Sequence, residues 1–467
     1  VEAVKNGTEE QIGKNKKIAA GITILICTLF AIYFGMAEYF MNHFYFGSEI
    51  NRINVSGKTI EDAKKLVTSE LKSYTLNLKE RKGTSEQIKA DDIGLKYNLD
   101  EELKKFKDNQ NSFKWISGLF TAKYSKMTAE LSFNEKLLRK RIDKLSCFDS
   151  SNITEPKNPG FRYVNNNYVI VKEVNGNKVN KDVLYSHIVD SILKRKSEIN
   201  LESAGCYIEP QYNSKSKEIM KVRDVLNKYV STKITYTFGE YKEILDGSII
   251  NKWLKIDRNL SITIDDGKLK EYVVSLSNAY NTIGKARRFT TSSGNAISIG
   301  GGDYGRSIDI AKETQYLIKA IKEGQTVTKK PAYIQTAFSM NGNDIGNTYV
   351  EIDLTKQHLW YYKNGSLIVQ GDVVTGNVNS NHATPRGIYR LKYKLRNTIL
   401  RGPGYAAPVT FWMPFNGGIG IHDAGWRSVF GGNIYKTDGS HGCINCPYNV
   451  AKSVFNNIET GTPVICY

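Results

Sequence analysis

Ser440-His441-Gly442-Cys443-Ile444-Asn445 is the stretch that organises this chain, read with Gly418-Ile419-Gly420-Ile421-His422-Asp423 shortly before it. A thiol attacks as its thiolate, and a free cysteine with a pKa near about 8.5 is mostly protonated at neutral pH. An imidazole can take that proton, so Cys443 with His422 upstream is the minimum equipment for nucleophilic catalysis. The imidazole needs an acceptor on its other nitrogen, and Asp423 offers one by carboxylate or by backbone carbonyl. Gly442 leaves room for backbone N–H groups to turn toward a developing oxyanion. His441 is placed to position the loop or to donate a hydrogen bond. Against this stands the common role of a cysteine as a small buried hydrophobe, and a bare His–Cys pair does not decide between the two.

Upstream of this stretch the pattern is β. Tyr349-Val350-Glu351-Ile352-Asp353-Leu354 and His358-Leu359-Trp360-Tyr361-Tyr362-Lys363 predict strands, and Asn364-Gly365 is a strong hairpin dipeptide. Leu367-Ile368-Val369 and Val373-Val374 continue the meander. Thr384-Pro385-Arg386-Gly387 suits a type I turn, and Ile388-Tyr389-Arg390-Leu391 alternates again. Short strands with few helices predict a small β-sandwich or barrel-like domain.

Ile352-Asp353-Leu354, Gln357, Asn364-Gly365, Thr375-Gly376, Thr384-Pro385-Arg386-Gly387, Ile421-His422 and the Ser440–Asn445 motif follow one another in a set order. In this order the region 347–467 resembles the catalytic domain of bacterial L,D-transpeptidases. The resemblance implies a mainly-β, β-sandwich-like fold and peptidoglycan stem peptides as substrates; no cofactor or metal is expected. It implies Cys443 as nucleophile and His422 as base, with His441 and Gly442 completing the catalytic motif. Ser440, Asp423 and Asn445 are expected at the substrate, and Tyr405, Trp412 and Met413 fall where the family has a substrate-covering segment. Many members have Arg at the place of Asn445, although Asn also occurs, and Cys446 takes a place that is commonly apolar. The implied reaction is attack of Cys443 on the L,D bond of a tetrapeptide donor, loss of D-Ala and a thioester. A diaminopimelate-type amine of a second stem then takes the acyl group, which makes a 3→3 cross-link. Carbapenems are expected to acylate the same cysteine.

Several other readings share these residues. With water or a protein lysine as acceptor, the same acyl-enzyme is an L,D-carboxypeptidase or attaches a protein to peptidoglycan. A decayed site would leave a non-catalytic wall-binding protein. Cys443-x-x-Cys446 has the spacing of a redox pair, and His422, His441, Cys443 and Cys446 are the residue types of a Zn²⁺ site.

The rest of the chain reads as a means of delivery. Its 467 residues carry a formal charge of +18, which points to an anionic partner or surroundings. No Lys/Arg block or nucleic-acid fold signature is present, so nucleic acid is not expected as a partner. The six cysteines have no even spacing and do not form a disulfide framework. Residues 18–37 run without a charge, long enough at ~1.5 Å per residue for a ~30 Å hydrocarbon core. Lys14, Lys16 and Lys17 precede this run, and no Lys or Arg lies between Glu38 and Asn51. This predicts a single-pass anchor in the cell membrane with its N-terminus in the cytoplasm; a cleaved signal peptide is the alternative, but Met36-Ala37-Glu38 is a poor cleavage site.

Beyond it, a helix is expected over 60–72, capped by Thr59 with Asp62, then a strand over 74–79 and a helix near 99–109. A similar order after Gly176 suggests a duplication that aligns Gly57 with Gly176. Ser151–Gly160, with two prolines, reads as a linker. The run Gly300-Gly301-Gly302-Asp303-Tyr304-Gly305 lacks a phosphate-loop ending and reads as a structural loop. Continuing to Pro331, this part resembles the type 4 peptidoglycan-binding module of wall enzymes over 165–335, with a fainter copy at 50–150. The expected order is a cytoplasmic tail at 1–17, a transmembrane helix at 18–40, α+β modules at 41–150 and 151–340, and the catalytic domain at 347–467, extracellular in the cell wall.

Overall fold

The computed structural model describes residues 2–120, 126–402 and 404–467. The chain begins in one long helix, Glu2–Asn42. Its Gln11–Asn42 portion contains an 18-residue window with a mean hydropathy of 2.2 and no buried residue. The last turns continue into a folded core, where Phe40 and Phe44 are fully buried and buried Lys107 donates its Nζ to the Phe40 carbonyl at 2.6 Å. The helix Ile60–Lys72 packs Ala63, Val67 and Leu71 into the same core. It starts at Thr59, whose Oγ1 accepts from the Asp62 N–H at 3.1 Å, the capping contact expected from sequence.

Contacts divide the chain into two compact units, 1–159 with 172–213, and 160–171 with 214–467. Each holds the same arrangement. In the first, Thr75–Lys79 and Ser85–Lys89 form an antiparallel hairpin, and Glu198–Asn200 runs parallel to Thr75–Lys79. In the second, Lys233–Phe238 and Tyr241–Leu245 form the hairpin, and Thr326–Lys329 adds in parallel. A helix precedes each hairpin (Ile60–Lys72, Lys217–Val230) and another feeds each parallel strand (Lys181–Leu193, Ile310–Glu323).

This corrects the expected phase of the duplication. Gly57 and Gly176 do not occupy equivalent places. The helix Lys181–Leu193 closes the first copy, because Leu184, Ile188 and Ile192 share one core with Leu76, Leu78 and Ile88. A boundary at 151 would separate these side chains. The hairpin Gly160–Val164 and Asn167–Val171 instead packs in the second unit. There the Tyr168 N–H donates to Asn227 Oδ1 at 2.6 Å, and the Tyr168 ring enters the core with Leu226 and Val230.

The C-terminal part is a two-sheet, mainly-β domain. Ser366–Asp372, His358–Lys363, Tyr349–Asp353, Pro463–Cys466 and Gly387–Arg390 lie side by side in one five-stranded sheet. Leu395–Gly402, Tyr405–Asn416, Ile419–Asp423 and Ile444–Cys446 make the other. Val350, Ile352, Leu359 and Tyr361 from the first sheet meet Phe411, Met413, Phe415 and Ile421 from the second, with Val450 and Val454 of the helix Tyr448–Asn457. Alternation along each strand sends these side chains inward.

Within the same unit, the glycine run covers an edge of the five-stranded sheet. Tyr304 N–H donates to Ile388 O at 3.0 Å, and Ile388 N–H to Gly301 O at 3.2 Å. An uncovered edge strand is a liability for aggregation. Gly302 makes the approach possible: its φ is +76° and a Cβ there would lie 2.1 Å from Ile388 O. Gly302→Ala is expected to cost about 3 kcal/mol of unfolding free energy, from overpacking and the left-handed backbone. Gly301→Ala, with φ +81° and open space around its Cβ, is expected to cost only about 1 kcal/mol. Equal losses for the two in denaturant melts would contradict this account of the loop.

Candidate active site

Two parallel strands build the site. Ile421 pairs with Ile444, His422 with Asn445 and Asp423 with Cys446. Ile421 and Ile444 point into the core, so the neighbours His422 and Asn445 share the opposite face. Cys443 stands immediately before the second strand, in a turn tied by Ser440. Ser440 Oγ donates to Cys443 O at 2.6 Å and accepts from Gly442 N–H at 3.0 Å. Thr384 Oγ1 donates to Gly442 O at 2.7 Å and accepts from Gly376 N–H at 3.0 Å. Val374 exchanges both backbone hydrogen bonds with Asn445, at 3.0 and 2.9 Å. Buried Gln357 holds this segment in turn, giving Nε2 to Thr375 Oγ1 at 2.8 Å and accepting Thr375 N–H at 2.9 Å.

His422 is 3% exposed, and its Nδ1 lies 2.9 Å from Asp423 O. A carbonyl only accepts, so Nδ1 carries the hydrogen and Nε2 is left bare as a proton acceptor. Burial lowers the pKa of this imidazole and keeps it neutral. Burial also pushes the Cys443 thiol up to about 11, and its Sγ rests 3.6 Å from Gly418 O. The resting pair is therefore thiol and neutral imidazole, not thiolate and imidazolium.

His422, Cys443, Asn445, Ser440, His441 and Tyr405 line one cleft of about 240 Å³, together with Leu400, Ala407, Trp426, Arg427 and Gly439. Tyr405 stacks on His441 with ring centroids 4.7 Å apart, and the His382 ring centroid lies 4.6 Å from that of His441. Asn445 is buried and its Oδ1 has no hydrogen-bond partner, an unspent acceptor at the cleft wall. Arg427 donates Nη1 to Asp438 at 2.9 Å.

Four further expected site residues are placed as follows. Met413 is fully buried in the core between the sheets, not in the cleft, because alternation along Tyr405–Asn416 turns it inward. Trp412 pairs with His422 across the two strands, its ring 6.0 Å from the His422 ring and over Gly420. The Asp423 carboxylate does not reach His422: it accepts Thr410 N–H at 2.9 Å and Phe411 N–H at 2.7 Å, so the backbone carbonyl is the orienting group. Gly442 gives its N–H to Ser440 rather than to the cleft; its φ of +114° is what the turn demands.

Sequence comparison bears on what this cleft is. Residues 347–466 match the family YkuD, described as L,D-transpeptidase catalytic domain. Residues 86–200 and 212–329 match the family described as Putative peptidoglycan binding domain, a phase that agrees with the two structural copies. A cysteine-to-serine variant of an Enterococcus faecium L,D-transpeptidase is 33% identical over 54% of this chain and 100% of its own, with a TM-score of 0.46. The chain belongs to the L,D-transpeptidase family. The E. faecium L,D-transpeptidase catalytic domain acylated by ertapenem is 42% identical to this transpeptidase, over 26% of this chain and 98% of its own, with a TM-score of 0.25. No curated protein matches the chain.

Among the residues of this transpeptidase cleft that escaped the sequence reading are Trp426 and Arg427. Their signal was faint: Gly425-Trp426-Arg427 follows His422-Asp423 directly, and a loop after a base is a natural wall for its cleft. Cys446, by contrast, is fully buried in the core. Three positions from Cys443, it faces the other side of the strand, which removes the redox-pair and zinc readings that needed both thiols together.

The neutral resting pair has a kinetic signature. Alkylation of Cys443 by iodoacetamide, followed by peptide mass, is expected to rise about tenfold per pH unit from pH 7 to pH 9. A rate plateau between pH 6 and pH 8 would reveal a resting thiolate–imidazolium pair and contradict the assignment.

Proposed function

We propose that this transpeptidase forms 3→3 cross-links in peptidoglycan through a thioester on Cys443. The observation that carries the reading is the pairing of His422 with Asn445 on adjacent strands, with Cys443 at the start of the second and all three facing one cleft. His422 Nε2 takes the Cys443 proton as sulfur attacks the carbonyl between stem residues three and four. The C–N bond then breaks, the imidazolium proton goes to the leaving amine of D-Ala, and an acyl thioester remains. The side-chain amine of a diaminopimelate-type residue on a second stem attacks the thioester. His422 accepts the amine proton and returns it to sulfur as the C–S bond breaks.

His422 serves both halves because burial keeps it neutral between them. Asn445 Oδ1, unpartnered at the cleft wall, accepts a substrate N–H, and the stacked Tyr405 and His441 cover the bound stem. The avidity of the thiol for acyl donors extends to carbapenems, which acylate Cys443 by ring opening.

The apolar helix places the site. In this reading residues 18–40 span the cell membrane once, the tail 1–17 is cytoplasmic, and the two α+β modules hold the catalytic domain 347–467 in the wall. The positive charge of the chain suits an anionic envelope.

Purified protein incubated with disaccharide-tetrapeptide is expected to release D-Ala and give 3→3 dimers by mass spectrometry. Cys443→Ala is expected to lose at least about 10³-fold in rate while keeping its fold. Tripeptides without dimers would identify an L,D-carboxypeptidase instead, and undiminished cross-linking by Cys443→Ala would sink the mechanism.

A further inference from the structure

We infer that residues 112–120 form a second membrane element, a short helical wedge that enters the outer leaflet beside the spanning helix. This rests on the reading that Glu2–Asn42 crosses the bilayer. The segment is Ser112-Phe113-Lys114-Trp115-Ile116-Ser117-Gly118-Leu119-Phe120, a turn Ser112–Lys114 followed by the helical turn Trp115–Gly118. It is docked firmly. Tyr33 Oη donates to Phe113 O at 2.6 Å, and Trp115 Nε1 donates to Tyr33 O at 3.3 Å. The Trp115 ring lies 6.0 Å from Phe40 and 6.4 Å from Tyr33. Gly118 admits the Tyr45 ring so closely that a Cβ would lie 2.5 Å from it.

Depth decides the assignment. Trp115 and Ile116 border one apolar groove with Ile26, Leu29, Phe30, Ile32 and Tyr33. At ~1.5 Å per residue, Tyr33 lies ~8 Å and Ile26 ~18 Å inward of Glu38, where the apolar run ends. A ~30 Å hydrocarbon core has an outer half ~15 Å deep. A segment hydrogen-bonded to Tyr33 is therefore at the depth of the outer-leaflet acyl chains when the helix spans, and the groove it borders runs on to the bilayer middle near Ile26.

Its surface fits that solvent. Phe113, Ile116 and Leu119 are exposed, and Phe120 is 82% exposed. Large apolar side chains crowd this face, which in water would be a sticky patch. The occupant is lipid, because the patch is continuous with the uncovered apolar face of the spanning helix. Trp115 and Tyr33 are the residue types of the membrane interface, and Lys114 has the reach to bring its charge up to the headgroups. With the wedge in place, the base of the first unit is held against the bilayer at two points rather than one.

The test uses full-length protein with Cys27→Ser and Cys443→Ser, in vesicles of phosphatidylcholine and phosphatidylglycerol. Single cysteines from Ile116→Cys, Phe120→Cys, Leu25→Cys and Ser203→Cys carry an environment-sensitive fluorophore; the remaining native cysteines are buried. Labels at 116, 120 and 25 are expected to be blue-shifted, quenched by acyl-chain nitroxides and protected from aqueous iodide, with the label at 203 the reverse. Labels at 116 and 120 that behave like 203, while 25 reports lipid, overturn the wedge and leave the spanning helix standing. A label at 25 in water overturns both. A blue shift at 116 and 120 without nitroxide quenching, lost on dilution into excess lipid, assigns the patch to a second copy of the chain and also overturns the wedge.

Discussion

The parallel pairing of Ile419–Asp423 with Ile444–Cys446 is the constraint on which the site depends. Parallel strands cannot be joined by a tight hairpin, so the connection between them is long. It holds Trp426, Arg427, Ser440 and His441, all of which line the cleft. The register sets His422 beside Asn445 and sends their neighbours Ile421 and Ile444 into the core. A slip of one residue would exchange the two faces and bury the machinery among the apolar side chains between the sheets.

Burial does the electrostatic work. It holds His422 neutral and Cys443 protonated, so no standing charge pair must be desolvated when substrate enters. In the proposed mechanism the protonated thiol is a weak resting nucleophile, and proton transfer to Nε2 activates it at the moment of attack. The geometry of the site is kept by hydrogen bonds from the strands and turns around it. The Asp423 carboxylate binds two backbone N–H groups of the neighbouring strand, and Gln357 and Thr384 fix the segment that backs the nucleophile turn. Further out, Glu351 is fully buried yet satisfied by Ser292 and Tyr467, and Arg287 pairs with Asp344. These contacts join the second α+β copy to the catalytic domain within one unit.

The local chemistry was the most legible part of the sequence. Ser440–Asn445 and His422 stood out as a candidate site because of residue type, short spacing and the family resemblance, and the hairpin at Asn364-Gly365 because few dipeptides suit such a turn. Long-range pairing was less legible. The strand Glu198–Asn200 belongs with Thr75–Lys79, a partnership that no local pattern announces, and so the duplication was read out of phase. Met413 was misplaced for a related reason: facing on the long strand Tyr405–Asn416 depends on its register with both neighbours, which sets Trp412 opposite His422 and Met413 opposite Ile421. Asp423 offered two acceptors at one position, and only the three-dimensional course of Thr410–Phe411 shows that its carboxylate is already engaged.

The central claim is that acyl groups pass through the Cys443 sulfur. Rapid quenching of the protein with a tetrapeptide stem, followed by intact and peptide-level mass spectrometry, tests it most directly. The account predicts a transient adduct with the mass of the stem less its terminal D-Ala, released by hydroxylamine and carried by the peptide that contains Cys443. Turnover with no such adduct, or with the acyl group on another residue, would contradict it.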